Sequence, residues 1–196
     1  MGLSEATAGA GSELARHLTE MAVTSDTLIG SQDLPDVLNR LAQRALELVQ
    51  ADYAAIATFD EQGVMARFVF TGISEQQARR LGAPPSGRGL LGELARCDRA
   101  IRAADIRSLA SFSGWPEGHP EMTIFLGVPI RAEGRTLASL YMTREHGGLP
   151  FSNADEAAAA VLAVQAAAVV SLAMGRERSG RLRLLEERVR IAHDLH

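Results

Sequence analysis

The sequence has little cysteine, no lysine and few aromatic residues, and the first two shortages each exclude a class of protein. Cys97 is the single cysteine among 196 residues, so no internal disulfide, cysteine-pair metal site or intramolecular dithiol redox cycle can form. All 20 basic residues are arginine. A P-loop and Schiff-base chemistry are therefore excluded, because both depend on the amine of a lysine.

Charge and hydropathy argue against three further classes. The 24 acidic residues outnumber the basic ones and give a net charge of −4, which does not suit a broad nucleic-acid surface. No apolar run approaches the roughly 18 residues of a membrane span, and the first eleven residues lack the features of a secretory signal. We therefore expect a cytoplasmic chain that has no membrane span and binds no nucleic acid.

Apolar periodicity predicts an α+β domain in which helices flank an antiparallel sheet. Apolar residues recur every three or four positions over Leu34–Val49, which predicts a helix. Shorter helices are predicted after Ser74 and over Leu90–Arg96, and a short edge strand over Ala100–Ile106. Four further strands are predicted, with turn residues between the members of each pair: Tyr53–Phe59, Val64–Phe70, Phe125–Arg131 and Thr136–Thr143.

A long C-terminal helix is predicted from Asn153 onward, opened by a capping box of Ser152 and Asp155. Beyond Gly175 the composition changes from alanine and valine to arginine and glutamate. Apolar residues there follow the 3-4 spacing of a coiled-coil seam, which predicts a homodimer through helices: Leu182, Leu185, Val189 and Ala192, with His196 at the next position. We divide the chain into an N-terminal helix with a frayed tail (1–30), a globular domain (31–175) and the start of a dimerisation helix (176–196).

The last ten residues, Glu187–His196, resemble the phosphoacceptor motif of sensor histidine kinases of the nitrate-sensor type, E-R-x-R-I-A-R-D-L-H-D. The chain departs from it at His193, where the motif has Arg, and stops before the final Asp. The resemblance implies that His196 is the phosphoacceptor and that the chain is the truncated front part of a histidine protein kinase. It further implies two partners, the ATP-binding kinase domain of the full-length protein and a response regulator. The chain itself contains no nucleotide-binding box.

Residues 33–172 resemble a GAF domain, on the order of their elements and on the run Phe125–Ile130. Three segments are similar to the haem-binding GAF domains of mycobacterial dormancy sensor kinases: Gly87–Leu94, Gly118–Met122 and Phe125–Pro129. That resemblance implies that His119 is the iron ligand and that Tyr141 stands on the distal side.

An apolar wall would then come from Phe125 and Leu126, together with Ile56, Phe68, Phe70 and Leu140. The family's distal Glu and His are replaced by Ala57 and Phe59. Three ligand states remain open: haem with its gas or redox state, another small molecule, and no ligand. In the last state, the domain would serve only dimerisation and signal relay.

Overall fold

The computed structural model describes residues 33–81, 89–115 and 119–194. The predicted N-terminal helix of residues 1–30 lies outside these ranges, as does His196. Within these ranges the chain forms four α-helices: α1 (Leu34–Leu48), α2 (Glu75–Leu81), α3 (Leu90–Arg96) and α4 (Asn153–Asp194). Five strands accompany them: β1 (Tyr53–Phe59), β2 (Met65–Thr71), β3 (Ile101–Ala103), β4 (Met122–Ala132) and β5 (Arg135–Glu145).

The five strands form one antiparallel sheet in the order β2-β1-β5-β4-β3, so that β5 lies at its centre. The α+β fold is therefore confirmed. The predicted helix over Leu90–Arg96 and the strand over Tyr53–Phe59 have the bounds that the periodicity indicated. The predicted edge strand over Ala100–Ile106 is shorter, because a 3-10 turn begins at Ile106.

Helices α1 and α4 cover one face of the sheet and form the larger core. Their apolar residues pack against alternate strand residues such as Ile56, Leu126, Leu140 and Met142, each at most 1% exposed. The opposite face is covered by α3 and by the segment that follows β3. The sheet therefore has two buried faces with separate sets of side chains, as the alternation along each strand requires.

The capping box of α4 is confirmed. The Asp155 amide donates to Ser152 Oγ at 3.1 Å, and the Ser152 amide donates to Asp155 Oδ2 at 2.8 Å. From there α4 continues as one helix of 42 residues through both Gly175 and Gly180. The long helix that carries the C-terminal motif is thus continuous with the helix of the domain core.

Two arginines hold the beginning of α4 against the sheet. Arg144, at the end of β5, donates to the Leu149 carbonyl at 2.7 Å and to the Gln50 carbonyl at 3.2 Å, and its guanidinium lies 4.2 Å from the ring centre of Phe151. Arg102 of β3 pairs with Glu156 at 2.8 Å. The start of α4 is therefore tied to both the central and the edge strand.

One stretch of α4 is apolar enough to cross a bilayer by length and composition, with a mean hydropathy of 2.1. The prediction that no apolar run approaches the length of a membrane span is therefore wrong, since Gln165 and Ser171 are the only polar residues between Ala157 and Met174. Buried core helices meet the same criterion, and 44% of the stretch is buried inside the domain. The absence of a membrane span stays a prediction.

Candidate functional site

The face of the sheet beneath α3 is the place where the sequence-predicted pocket residues meet. Eight buried residues form an apolar cluster there, which we call the α3 cluster: Ala57, Phe59, Leu90, Leu94, Ala103, Ile106, Phe125 and Tyr141. Two of them, Phe125 and Tyr141, were predicted as ligand-binding residues. Ala57 and Phe59, which stand where the haem-binding GAF domains have Glu and His, belong to the same cluster.

Tyr141 lies at the centre of this face, on the central strand. It pairs with Ala55 of β1 and Gly127 of β4, and its ring centre lies 6.4 Å from that of Phe125 and 6.5 Å from that of Phe68. Its hydroxyl has no hydrogen-bond partner among the described residues. Burial raises the pKa of Tyr141 far above its ordinary value, and the Ser139 hydroxyl opposes this rise without meeting the geometry of a hydrogen bond.

Ser139 and Thr143 extend Tyr141 into a row of three buried hydroxyl groups on the same face of β5. Within the described part of the chain none of the three has a partner, although each is at most 7% exposed. A buried hydroxyl without a hydrogen bond costs about 1–3 kcal/mol. The row is therefore a set of donors and acceptors that a ligand or ordered water would satisfy. Ser139 and Thr143 were not predicted, although the period of two along β5, counted from Tyr141, points to both.

His119 lies half-buried just before β4. Its Nδ1 is 2.8 Å from the carbonyl oxygen of Pro120, so the tautomer that donates from Nδ1 leaves Nε2 as the nitrogen with a free lone pair. This is the arrangement that an imidazole ligand to a metal requires. No cluster of three or more His, Cys, Asp or Glu that could hold a metal ion occurs among the described residues. A metal at this place would therefore have to be brought by a cofactor, with His119 as its protein ligand.

Packing at Gly127 decides how much space this face offers. A Cβ atom on Gly127 would lie 2.4 Å from Leu94 Cδ1 and 2.9 Å from two ring carbons of Phe125. Helix α3 therefore sits directly on the sheet, in the place that a missing side chain leaves. A flat macrocycle lying over Tyr141 would require α3 to move outward from Gly127. The packing of this face therefore disfavours haem in the arrangement that the resemblance implied, with Tyr141 on the distal side, although His119 offers a nitrogen ligand.

Three residues of the predicted pocket wall belong to the opposite face. Leu126, predicted as a ligand-binding residue, is completely buried in the core beneath α1 and α4, together with Ile56 and Leu140. The reason is the period of two along a strand, which turns Leu126 away from the face that its neighbour Phe125 occupies. The prediction that Leu126 shares a pocket with Phe125 and Tyr141 is corrected accordingly.

Comparison with known proteins agrees with the fold. Residues 31–171 match the family model of the GAF domain. The GAF domain of a phosphoenolpyruvate-protein phosphotransferase from Coxiella burnetii superposes with a TM-score of 0.72 at 22% identity, covering 84% of this chain and 98% of that chain. A substrate complex of free methionine-R-sulfoxide reductase from Neisseria meningitidis gives a TM-score of 0.67 at 15% identity, with coverage of 83% and 93%.

A third similar structure is the GAF domain of a putative sensor histidine kinase from Pseudomonas syringae pv. tomato. Its TM-score is 0.57 at 16% identity, and the match covers 89% of this chain and 94% of that chain. At these identities the likeness extends to the fold alone. Together with the family match over most of its length, the five-stranded antiparallel sheet between helices shows that the chain belongs to the GAF domain family and is a signalling domain of that kind.

Proposed function

We propose that this chain is the signal-input region of a two-component sensor histidine kinase. The observation that carries the proposal is the continuity of α4. One helix begins against the sheet at Asn153 and runs to Asp194, inside the kinase-like motif Glu187–His196. A change in the domain that shifts or rotates the start of α4 would be transmitted along a helix without a break.

His196 would accept phosphate in this proposal. The imidazole nitrogen that carries a lone pair attacks the γ-phosphorus of ATP, a P–N bond forms as the P–O bond to ADP breaks, and the proton on the other ring nitrogen passes to a neighbouring base. The ATP would be held by the kinase domain of the longer protein, and a response regulator would then take the phosphoryl group. None of the chemistry depends on the GAF domain, whose role is to control the distance between His196 and ATP.

The test is phosphorylation of the longer protein from radiolabelled ATP, compared with its His196→Ala variant. We expect acid-labile, base-stable phosphate in the parent and none in the variant. His193→Ala is the matched control, because His193 is the other histidine of the motif, and it should still accept phosphate. Full labelling of the His196→Ala variant would contradict the proposal.

The ligand class is the second part of the proposal. We infer that the α3 cluster binds a small molecule with hydrogen-bonding groups, which the row of Ser139, Tyr141 and Thr143 would contact. The packing of Leu94 on Gly127 favours a ligand smaller than a macrocycle. The alternative without a ligand leaves the domain as a relay and dimerisation module.

Haem is the competing candidate, and the free Nε2 of His119 favours it. When bound, haem would supply an iron centre that responds to a gas or to redox state, with His119 as its ligand. An absorption spectrum after haem reconstitution, beside that of the His119→Ala variant, separates the candidates. A Soret band that the variant loses would establish haem, and no band in either protein would leave the smaller ligand.

A further inference from the structure

Two ion pairs attach α4 to the β1–β2 hairpin at the point where the helix leaves the domain. Glu177 pairs with Arg67 of β2 at 2.6 Å, and Arg178 pairs with Glu61 of the turn between β1 and β2 at 2.8 Å. They follow closely on Ala173, the last residue of α4 that is buried within the described part of the chain. These two contacts, which we call the hairpin ion pairs, therefore hold α4 directly beyond the core.

The same short stretch of α4 has the composition of a helix that bends easily. Gly175 and Gly180 delimit it, and glycine destabilises the interior of a helix relative to alanine. Ser179 directly precedes Gly180, and Gly/Ser pairs are a common site of helix kinks. The Ser179 hydroxyl donates to the Gly175 carbonyl at 3.0 Å, and such a bond to the residue four positions back often bends a helix. We call residues 175–180 the hinge segment.

Packing does not require either glycine of the hinge segment. A Cβ atom added at Gly175 or Gly180 would meet nothing within 4 Å, so alanine would fit at both positions and would strengthen the helix. The hairpin ion pairs lie between the two glycines and oppose bending there, because each pair anchors the helix to the sheet. In this structure α4 is continuous through the hinge segment, so this is the form that the ion pairs hold.

Strand β2 connects the hairpin ion pairs to the candidate site. Phe68 follows Arg67 and, by the alternation of side chains along a strand, lies on the opposite face of the sheet. It packs against the α3 cluster, and its ring centre lies 6.5 Å from that of Tyr141. In the described sheet β2 is an edge strand, with β1 as its single neighbour, so it can move without disturbing a second strand. A ligand that displaces the Phe68 ring would therefore move Arg67 as well.

We propose that the hairpin ion pairs are a contact that ligand binding at the α3 cluster releases, and that their release frees the hinge segment to bend. The four side chains are between 37% and 62% exposed. Exposed ion pairs contribute little to stability, so a ligand needs only a modest preference for the released state to shift the equilibrium. The inference rests on the proposed function in one respect, that bending of α4 would change the position of His196 relative to ATP.

Amide hydrogen exchange of the hinge segment, measured by NMR on the full chain, tests the contact. Arg67→Glu and Arg178→Glu should each accelerate this exchange about threefold, because an attractive pair becomes repulsive. Adding Glu177→Arg to Arg67→Glu should restore the parent rate. Arg176→Glu is the matched control, because it makes the same change of charge at an exposed residue two positions from Arg178, on the opposite side of the helix. Equal acceleration by Arg176→Glu and Arg178→Glu, or none by Arg67→Glu, would overturn the proposal.

The link to the candidate site is tested by Phe68→Leu, which shortens the side chain at the α3 cluster and keeps it apolar. It should also accelerate exchange in the hinge segment about threefold, should add nothing in the Arg67→Glu background, and should leave residues 158–173 at their parent rates. Additive effects of the two changes, or a parent rate in Phe68→Leu, would overturn the link.

The exchange measurements do not depend on kinase activity, so the two proposals fail separately. In the longer protein, Phe68→Leu should change the rate at which His196 is labelled from ATP, and Arg67→Glu should abolish that sensitivity. A labelling rate that Phe68→Leu leaves unchanged would overturn the regulatory role of the hairpin ion pairs. A parent protein that takes up no label at His196 would instead overturn the proposed function, while the exchange rates still decide whether the contact is released.

Discussion

Gly127 is the residue that allows α3 to pack directly on the sheet at the α3 cluster. It lies opposite Tyr141 in the sheet, and the space that its missing side chain leaves is occupied by Leu94 and Phe125. Closely packed interiors tolerate added atoms poorly, because neighbours must move off their preferred rotamers. The same glycine that lets α3 approach the sheet therefore limits what else can lie there.

Gly127→Ala is expected to destabilise the protein by about 1–3 kcal/mol through overpacking against Leu94. Chemical denaturation gives the unfolding free energy, and adding Leu94→Ala should recover part of the loss, so that the two changes are not additive. Gly180→Ala is the control, because nothing lies within 4 Å of its added Cβ; it should be neutral or gain up to about 1 kcal/mol. An unchanged stability for Gly127→Ala would mean that α3 is free to move away.

The two tyrosines give a prediction for alkaline pH. Burial, with the neighbouring Glu145 carboxylate as the next cause, raises the pKa of Tyr53 from 10.0 to about 12, and burial raises the pKa of Tyr141 further still. Both hydroxyls therefore bind their protons more tightly in the folded protein. The stability that they contribute is fully present below pH 10 and is lost as the pH rises above it, because the unfolded chain ionises first.

Tyrosinate absorbance measured against pH checks this directly. These are the only two tyrosines in the chain, so the denatured protein should titrate both near the ordinary value of 10.0, and the folded protein should show almost no ionisation at that pH. Tyr53→Phe should remove the part of the signal that titrates near 12. A folded protein that ionises either tyrosine with an ordinary pKa would contradict the packing described here.

Among the elements, the junction between β5 and α4 joins the candidate site to the long helix. Tyr141 and Arg144 are three residues apart on β5. Arg144 donates to the carbonyl of Gln50, in the connection between α1 and β1, and to the carbonyl of Leu149, within the junction itself. Its side chain is only 14% exposed. Hydrogen bonds from a buried guanidinium to carbonyl groups are worth more than those at an exposed surface.

Arg144→Ala is expected to cost about 2–4 kcal/mol of unfolding free energy, because it leaves several carbonyl groups without their donor. Arg144→Lys should recover only a small part, since one ammonium cannot reach the carbonyls of both Gln50 and Leu149. Thermal and chemical unfolding provide the measurement. The exposed Arg135 is the comparison, and Arg135→Ala should change stability by no more than about 0.5 kcal/mol. Equal effects at the two sites would disprove the role of Arg144 at the junction.

For the molecule as a whole, α4 consists of a part packed against the domain and a part, residues 181–187, whose side chains are all exposed. Amide hydrogen exchange should distinguish them. Amides of residues 158–173, buried against the sheet on one side, should exchange only through global unfolding. Those of 181–187 should exchange through dissociation of the homodimer that the sequence predicts. Leu182→Glu should accelerate exchange in the second group by placing a charge in the predicted coiled-coil seam, and it should leave the first group unchanged. Acceleration across both groups would mean that the domain cannot fold without its partner.

Sequence periodicity alone was enough to identify most helices and strands, because each is specified by the spacing of apolar residues within its own segment. The capping box of α4 depends on Ser152 and Asp155, which are three positions apart. The turn between β4 and β5 depends on the adjacent residues Glu133 and Gly134, which both have a positive φ. The match of the C-terminal motif is equally local. Alternation along β5 also contained the information for Ser139 and Thr143, once Tyr141 was placed.

The arrangement of the candidate site could not be obtained in this way, because it depends on contacts between distant segments. Alternation says that Phe125 and Leu126 face opposite ways, but only the order of the strands and the placement of α1, α3 and α4 settle which face each one occupies. The approach of Leu94 to Gly127 joins a helix to a strand that lies more than thirty residues further along the chain. Which of two apolar faces of α4 enters the core is likewise a matter of packing, since composition is similar on both.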